Sequence, residues 1–207
     1  MVNDPHKLQL RSGRLESLGD GIFGVAMTIL VIEIALPQIT GNSLNNFLMA
    51  MQKVWKPFLC YAMSFIVLGI MWFGHRMVFE YIGKTNRYFI FLGVLFYMMI
   101  CLVPFTTKFL AQNIFTWPAI LLYGVNLSLC NLTLFAQWRY GISRPAFLER
   151  DLPIEVRREA KILFLLSPVV YTMAIVISFF FPMVSIIIYV ITPILYLLPN
   201  KLDKYLP

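Results

Sequence analysis

Apolar runs of about 20 residues, bounded by basic or aromatic residues, recur through this chain and leave room for little else. An α-helix needs about that length to cross the hydrocarbon core of a bilayer. Six runs meet or approach it, at about 17–36, 57–78, 88–110, 117–138, 159–181 and 183–199. Hydrophobic residues are 59% of the 207, more than a water-soluble domain of this size hides. The short alternating segments of a membrane β-barrel are missing from the sequence. The expected fold is all-α: a polytopic membrane protein, one six-helix transmembrane domain over residues 1–207. The first run is too long for a secretory signal and has no small-residue cleavage site after it, so it is expected to stay as a span.

The basic residues cluster beside the ends of the runs. Counted by loop, 14 Lys and Arg fall on one side and 3 (Lys53, Lys56, Lys108) on the other. That asymmetry places both termini in the cytoplasm and the chain in the cell membrane as a multi-pass protein. It also accounts for the net charge of +7 without nucleic acid. Between the first two runs, Gly41, Asn42 and Asn45 mark a turn. Leu44, Phe47, Leu48, Met51 and Trp55 then recur at helical spacing, as in a short helix lying in the interface. Trp55 and Lys56 suit an anchor for the next span, with Pro57 in its first turn. Phe181 and Pro182 separate the last two runs, so these form a tight hairpin or one broken helix. Pro193 suggests that the sixth ends early or tilts, with Tyr196 and Lys201 at its end. In the linker 141–158, Pro145 and Pro153 punctuate the chain, and Asp151 suits a helix cap. Cys60, Cys101 and Cys130 lie within apolar runs, lack metal spacing and read as buried free thiols.

The first run carries the chemistry. It opens with Arg14, Glu16 and Asp20, holds Thr28 midway and Glu33 near its far end. Charge in hydrocarbon is costly, so this helix faces protein or water. Gly21, Val25, Thr28, Ile29 and Ile32 share one stripe. Two readings stay open: the lining of a narrow pore, or helix packing with Gly21 and Gly24 at close approach and Thr28 bonding its own backbone. Asp20 has two candidate partners, Arg14 and the cluster Trp72, His75, Arg76 that ends the second span on the same side. Glu33 is either an ion-attracting ring around an axis or a lone interfacial carboxylate. His75 has no second ligand at i+3 or i+4 and reads as a hydrogen-bond partner, not a metal ligand. Asn126, Asn131, Thr133 and Gln137 are expected to bond between helices. No metalloprotease, serine-hydrolase, phosphate-loop or paired-carboxylate pattern is present, so enzyme chemistry and a bound cofactor are not expected.

Three blocks carry a family resemblance. The first is RLESLGDGIFGVAMTILVIEI, with Arg14, Asp20, Gly21, Phe23, Ala26, Thr28 and Leu30. The second is WFGHRMVFEYI, with Trp72, His75 and Phe79. The third is LVPFTTKF, with Pro104, Phe105 and Thr107. In this order they resemble the transmembrane protein 175 family of cation channels. Leu18 and Gly19 replace that family's Phe and Ser, Gly74 and Arg76 its Asn and His, and Gly93 its Asn. The resemblance implies a homotetramer of six-helix subunits around a pore lined by the first helix. It implies potassium permeation, alongside other monovalent cations, with modest selectivity over sodium. By position it implies a hydrophobic constriction at Val25, Ile29 and Ile32, a selectivity role for Thr28, and a stabilising polar network of Arg14, Asp20, Trp72 and His75. The rival readings are an ion- or proton-coupled secondary transporter using Asp20, Glu33 and His75, and a membrane scaffold. A transporter should show inverted repeats and broken helices, and the sequence has neither.

Overall fold

The structure, a computed structural model, describes residues 10–39, 41 and 43–196. Asn42 and Lys201 of the expected turn and anchor lie outside the described residues. Seven α-helices follow in order: α1 (Gly13–Ile32), α2 (Leu44–Gln52), α3 (Trp55–Tyr81), α4 (Arg87–Gln112), α5 (Trp117–Ile142), α6 (Ile154–Ser178) and α7 (Pro182–Tyr196). Five of them, α1 and α3 to α6, are long and apolar enough to cross a membrane, and α7 is a shorter apolar helix.

The helices begin where the sequence supplies caps. Ser43 Oγ accepts from the Asn46 amide at 3.2 Å and Asn86 Oδ1 from that of Phe89 at 3.0 Å, each meeting a donor the helix leaves orphaned. Pro118 stands in the first turn of α5, where its missing N–H costs nothing. The expected interfacial helix is α2, and Gly41 before it takes the left-handed φ of 86° that the turn requires. The α6 cap is Pro153, not Asp151, because α5 runs on to Ile142 and a 3-10 turn at Pro145–Phe147 uses up the linker. The last two spans form the hairpin, α6 ending at Ser178 and α7 starting at Pro182. Ser185 Oγ ties it by donating to the Ala174 carbonyl at 2.7 Å. Pro193 does not end α7, which continues to Tyr196.

The core lies where α4 and α5 pack, with Phe89, Phe96, Ile100, Tyr123 and Trp138 almost fully buried. α1 packs on α3 and α4, and α6 with α7 on α5. Ser64 on α3 meets Tyr123 of α5 at 2.9 Å and Thr107 of α4 at 2.8 Å, one polar knot joining three helices. Asn126 meets Thr106 across α4 and α5 at 3.2 Å. Asn131 and Thr133 instead bond carbonyls of their own helix, and Gln137 has no partner for its amide among the described residues. The interhelical role therefore holds for Asn126 alone of the four. Cys60 and Cys130 are buried, whereas Cys101 is exposed on the side of α4 that faces a groove against α1.

One end of the bundle is drawn together by backbone pairing. β1 (Leu10–Arg11) pairs antiparallel with β2 (Lys84–Thr85), and Ile82 bridges to Leu148. The Ser12 amide donates to Gly83, Gly83 to Phe147, and Glu149 to Tyr81, at 3.0 to 3.1 Å. The chain before α1, the α3–α4 turn and the α5–α6 linker thus close one face, where the described basic residues of those segments gather. The ribbon also starts α1 at Gly13, earlier than the apolar run alone implies.

Candidate functional site

Two faces of α1 have opposite fates. Leu15, Gly19, Phe23, Ala26 and Leu30, at helical spacing, are buried against α3 and α4. On the other side Val25 is 58% and Ile32 76% exposed, and Gly21, Thr28 and Ile29 are open as well. A Cβ built on Gly21 or Gly24 meets nothing within 4 Å, so neither glycine serves close packing within the chain. The stripe borders a groove of about 370 Å³ between α1 and α4 that Cys101 and Pro104 close from the other side. This row of β-branched side chains is left uncovered by the rest of the chain.

Thr28 is oriented by its own helix. Its hydroxyl lies 2.8 Å from the Val25 carbonyl and 3.0 Å from that of Gly24. A hydroxyl has one proton to donate. Spending it on the backbone leaves an exposed oxygen that can only accept. An acceptor is what a cation needs as a substitute for water.

Beneath the stripe, two polar links hold α1 to the bundle. Asp20 Oδ1 accepts from Trp72 Nε1 at 2.8 Å, at an exposed position, and the Arg76 guanidinium stands 6.0 Å from the Trp72 ring. Deeper in, fully buried His75 places Nε2 2.8 Å from the Tyr97 hydroxyl, which donates to the Leu15 carbonyl at 2.7 Å. Tyr97 has one proton, and the Leu15 carbonyl takes it. His75 therefore donates from Nε2, and Nδ1 is the bare acceptor, without a partner among the described residues. Phe96 stacks on the imidazole at 5.8 Å and 17°, while Phe23 of α1 tilts against it.

This arrangement differs from the expected four-residue network. Asp20 with Trp72, and His75 with Tyr97, are separate links, and Arg14 is exposed and joins neither. The spacing of Arg14 and Asp20 is not that of neighbours on a helix face, and α1 is continuous between them, so the two do not meet. Tyr97 and Gly19 are the members sequence reasoning missed. Tyr97 is one tyrosine in an aromatic-rich run. Gly19 stood out only as a departure, and the structure gives its reason. A Cβ there would lie 2.5 Å from His75 Cε1 and 2.7 Å from the Tyr97 oxygen. Gly93 has a similar one: its missing side chain leaves room for Gln137, whose Nε2 would lie 2.8 Å from a Cβ.

At the other end of α1, Glu33 is the C-cap residue and is no isolated carboxylate. Lys108 of α4 pairs with it at 2.5 Å. Half-exposed pairs contribute about 0–1 kcal/mol, whereas a hydrogen bond to a charged group contributes about 1.5–3 kcal/mol. Asp20→Ala is therefore expected to lower the thermal unfolding temperature in detergent more than Glu33→Ala. Equal small shifts would mean that the Asp20–Trp72 bond does not hold α1 in place.

A helical bundle of this kind, with its first span fastened from one side and bare on the other, is an all-α polytopic membrane protein. A model of the family described as "Endosomal/lysosomal potassium channel TMEM175" matches residues 14–104, which contain both polar links and the whole stripe. A potassium channel of Streptomyces collinus is 37% identical over 101 residues, 49% of this chain and 48% of that protein, so the match takes in about half of either. A potassium channel of Chryseobacterium sp. is 26% identical over 195 residues, 93% of this chain and 95% of that one. The crystal structure of a lysosomal potassium-selective channel TMEM175 homolog from Chamaesiphon minutus has the same fold, with a TM-score of 0.77 at 24% identity over 89% of this chain and 95% of that one. Over residues 14–104 the chain is similar to the TMEM175 family, and its fold is that of a solved TMEM175 homolog.

Proposed function

We propose that this protein is a potassium-permeable cation channel, not an enzyme, and that four copies surround one axis with the bare face of α1 turned inward. The observation that carries this is the exposed stripe of Gly21, Val25, Thr28, Ile29 and Ile32, opposite a face buried in its own subunit. The names of the bacterial relatives support potassium as the permeant ion. Val25, Ile29 and Ile32 form apolar rings that resist ions by size and dewetting, and Thr28 offers oxygen in exchange for part of the hydration shell. The Asp20–Trp72 and His75–Tyr97 links hold α1 at its radius. The Lys108 pairing with Glu33 leaves the far mouth without a free acidic ring. The secondary-transporter reading gains nothing from an α1 that is continuous from Gly13 to Ile32.

Reconstitution into liposomes with a potassium gradient tests the function. Dissipation of the gradient on adding protein, with a slower sodium flux, is the expected result. Transport that saturates at a fixed stoichiometry with a second ion would replace the channel by a transporter. The charge asymmetry supports a cell-membrane protein with both termini cytoplasmic. Terminal tags should be reached by a membrane-impermeant probe only after permeabilisation. An externally labelled C-terminus would give an odd number of crossings and overturn the layout.

A further inference from the structure

The structure holds a second cavity, lined by helices other than α1. A cleft of about 560 Å³ opens between α3, α5, α6 and α7, within the size range of ligand sites. We propose that it seats one acyl chain of an anionic phospholipid drawn from the leaflet on the basic face.

The dimensions carry the first part. Along α3 the lining runs from Phe65 to Met77, twelve steps or about 18 Å at the rise of a helix. Half a hydrocarbon core is roughly 15 Å. Met77 stands one turn before the end of α3 at the basic face, and Phe65 near the helix middle. The cleft therefore spans the depth of one leaflet, the one on the side of β1, β2 and the linker.

The chemistry of the wall carries the second. Several of its polar groups bond within the bundle. Tyr196 donates to the Leu163 carbonyl at 3.0 Å and accepts from Ser167 at 2.7 Å, and Asn131 Nδ2 donates to Leu127 at 3.0 Å. With those donors engaged, the wall suits a chain without polar groups.

The mouth carries the third. Arg157, Lys161 and Phe164 follow at i, i+4 and i+7 on α6, one stripe that leads from the basic face into the cleft, which Phe164 lines. Both cations are exposed and carry no ion pair among the described residues, whereas Arg158, off the stripe, pairs with Glu159 at 3.5 Å. Glu155 is exposed on the side of Arg158 and Glu159. Two unpaired cations above an apolar slot match a phosphate headgroup with its chain below.

A photo-crosslinking amino acid at Phe73, which lines the cleft and is 46% exposed, tests this. The full chain is placed in nanodiscs of equal phosphatidylglycerol and phosphatidylcholine, irradiated and weighed intact. The same label at Phe180, exposed at the opposite end of the bundle, reports bulk lipid. The expected result is a one-lipid adduct at Phe73 enriched in phosphatidylglycerol, with no enrichment at Phe180. Arg157→Gln with Lys161→Gln should reduce that enrichment by about fivefold or more while phosphatidylcholine adducts persist. Leu163→Trp, which fills the slot, should reduce both. Equal headgroup ratios at Phe73 and Phe180, untouched by the charge variants, would make the occupant bulk lipid and overturn the proposal. An adduct of twice the chain mass would overturn it too, since a second copy would then cover the cleft.

Discussion

Shrinking Val25 to Ala is expected to raise single-channel conductance several-fold for potassium and sodium alike. The side chain is 58% exposed and touches little in its own subunit, so the substitution removes apolar bulk from the proposed axis without disturbing the fold. An apolar ring repels ions because it offers nothing in place of their water, and a wider ring does so less. Thr28→Val should act differently. It keeps the volume, deletes the exposed acceptor oxygen, and is expected to reduce the preference for potassium over sodium more than the total current. Cysteine accessibility separates this from an indirect effect, and must be done in a Cys101→Ser background, because the native thiol shares the groove with Val25 and Ile29. Val25→Cys and Ile29→Cys should then let a thiol reagent block the current, and Leu30→Cys, on the buried face, should not. Block at Leu30 with none at Ile29 would move the conduction path to another face of α1 or another helix.

Gly19→Ala is expected to destabilise the protein by about 1–3 kcal/mol, the range for overpacking a close-packed core. The sign is informative, because glycine to alanine inside a helix ordinarily stabilises by about 0.5–1 kcal/mol. At Gly19 the new methyl would meet the His75 ring and the Tyr97 hydroxyl closer than 3 Å. The ring has no room to retreat, with Phe96 stacked on it and Phe23 and Phe79 tilted against it. Either α1 moves outward or the His75–Tyr97–Leu15 chain breaks. Since α1 is the proposed pore helix, currents should fall along with the unfolding midpoint in detergent. Gly13→Ala, where nothing lies within 4 Å, is the control and should leave both unchanged. A Gly19→Ala protein as stable as the parent would mean that α1 is not seated against α3 and α4 as described.

The membrane class, the number of apolar runs and the position of the interfacial helix were legible because each depends on length and periodicity along one segment. The bilayer imposes a minimum run on every crossing helix, and α2 shows its apolar positions at helical spacing whatever it packs on. The stripe on α1 was legible too, but not its meaning. Gly21, Val25, Thr28, Ile29 and Ile32 fit a packed face as well as a bare one, since both are apolar in a membrane protein. Only the packing of α3 and α4 onto Leu15, Gly19, Phe23, Ala26 and Leu30 settled which face stays open.

The polar anchors divide in the same way. Asp20 and Trp72 announced themselves as polar groups at the end of apolar runs, and they meet. Arg14 announced itself equally and joins neither link, because a salt bridge depends on where the helix points a side chain and not on charge alone. Tyr97, Gly19 and the Glu33–Lys108 pair depend on residues 22 to 82 apart in sequence coming together. Span length and composition are properties of single segments, and the sequence by itself determined them. Which acid finds which base, which glycine makes room for which ring, and which face is left bare depend on contacts between segments, and only the tertiary structure decided those.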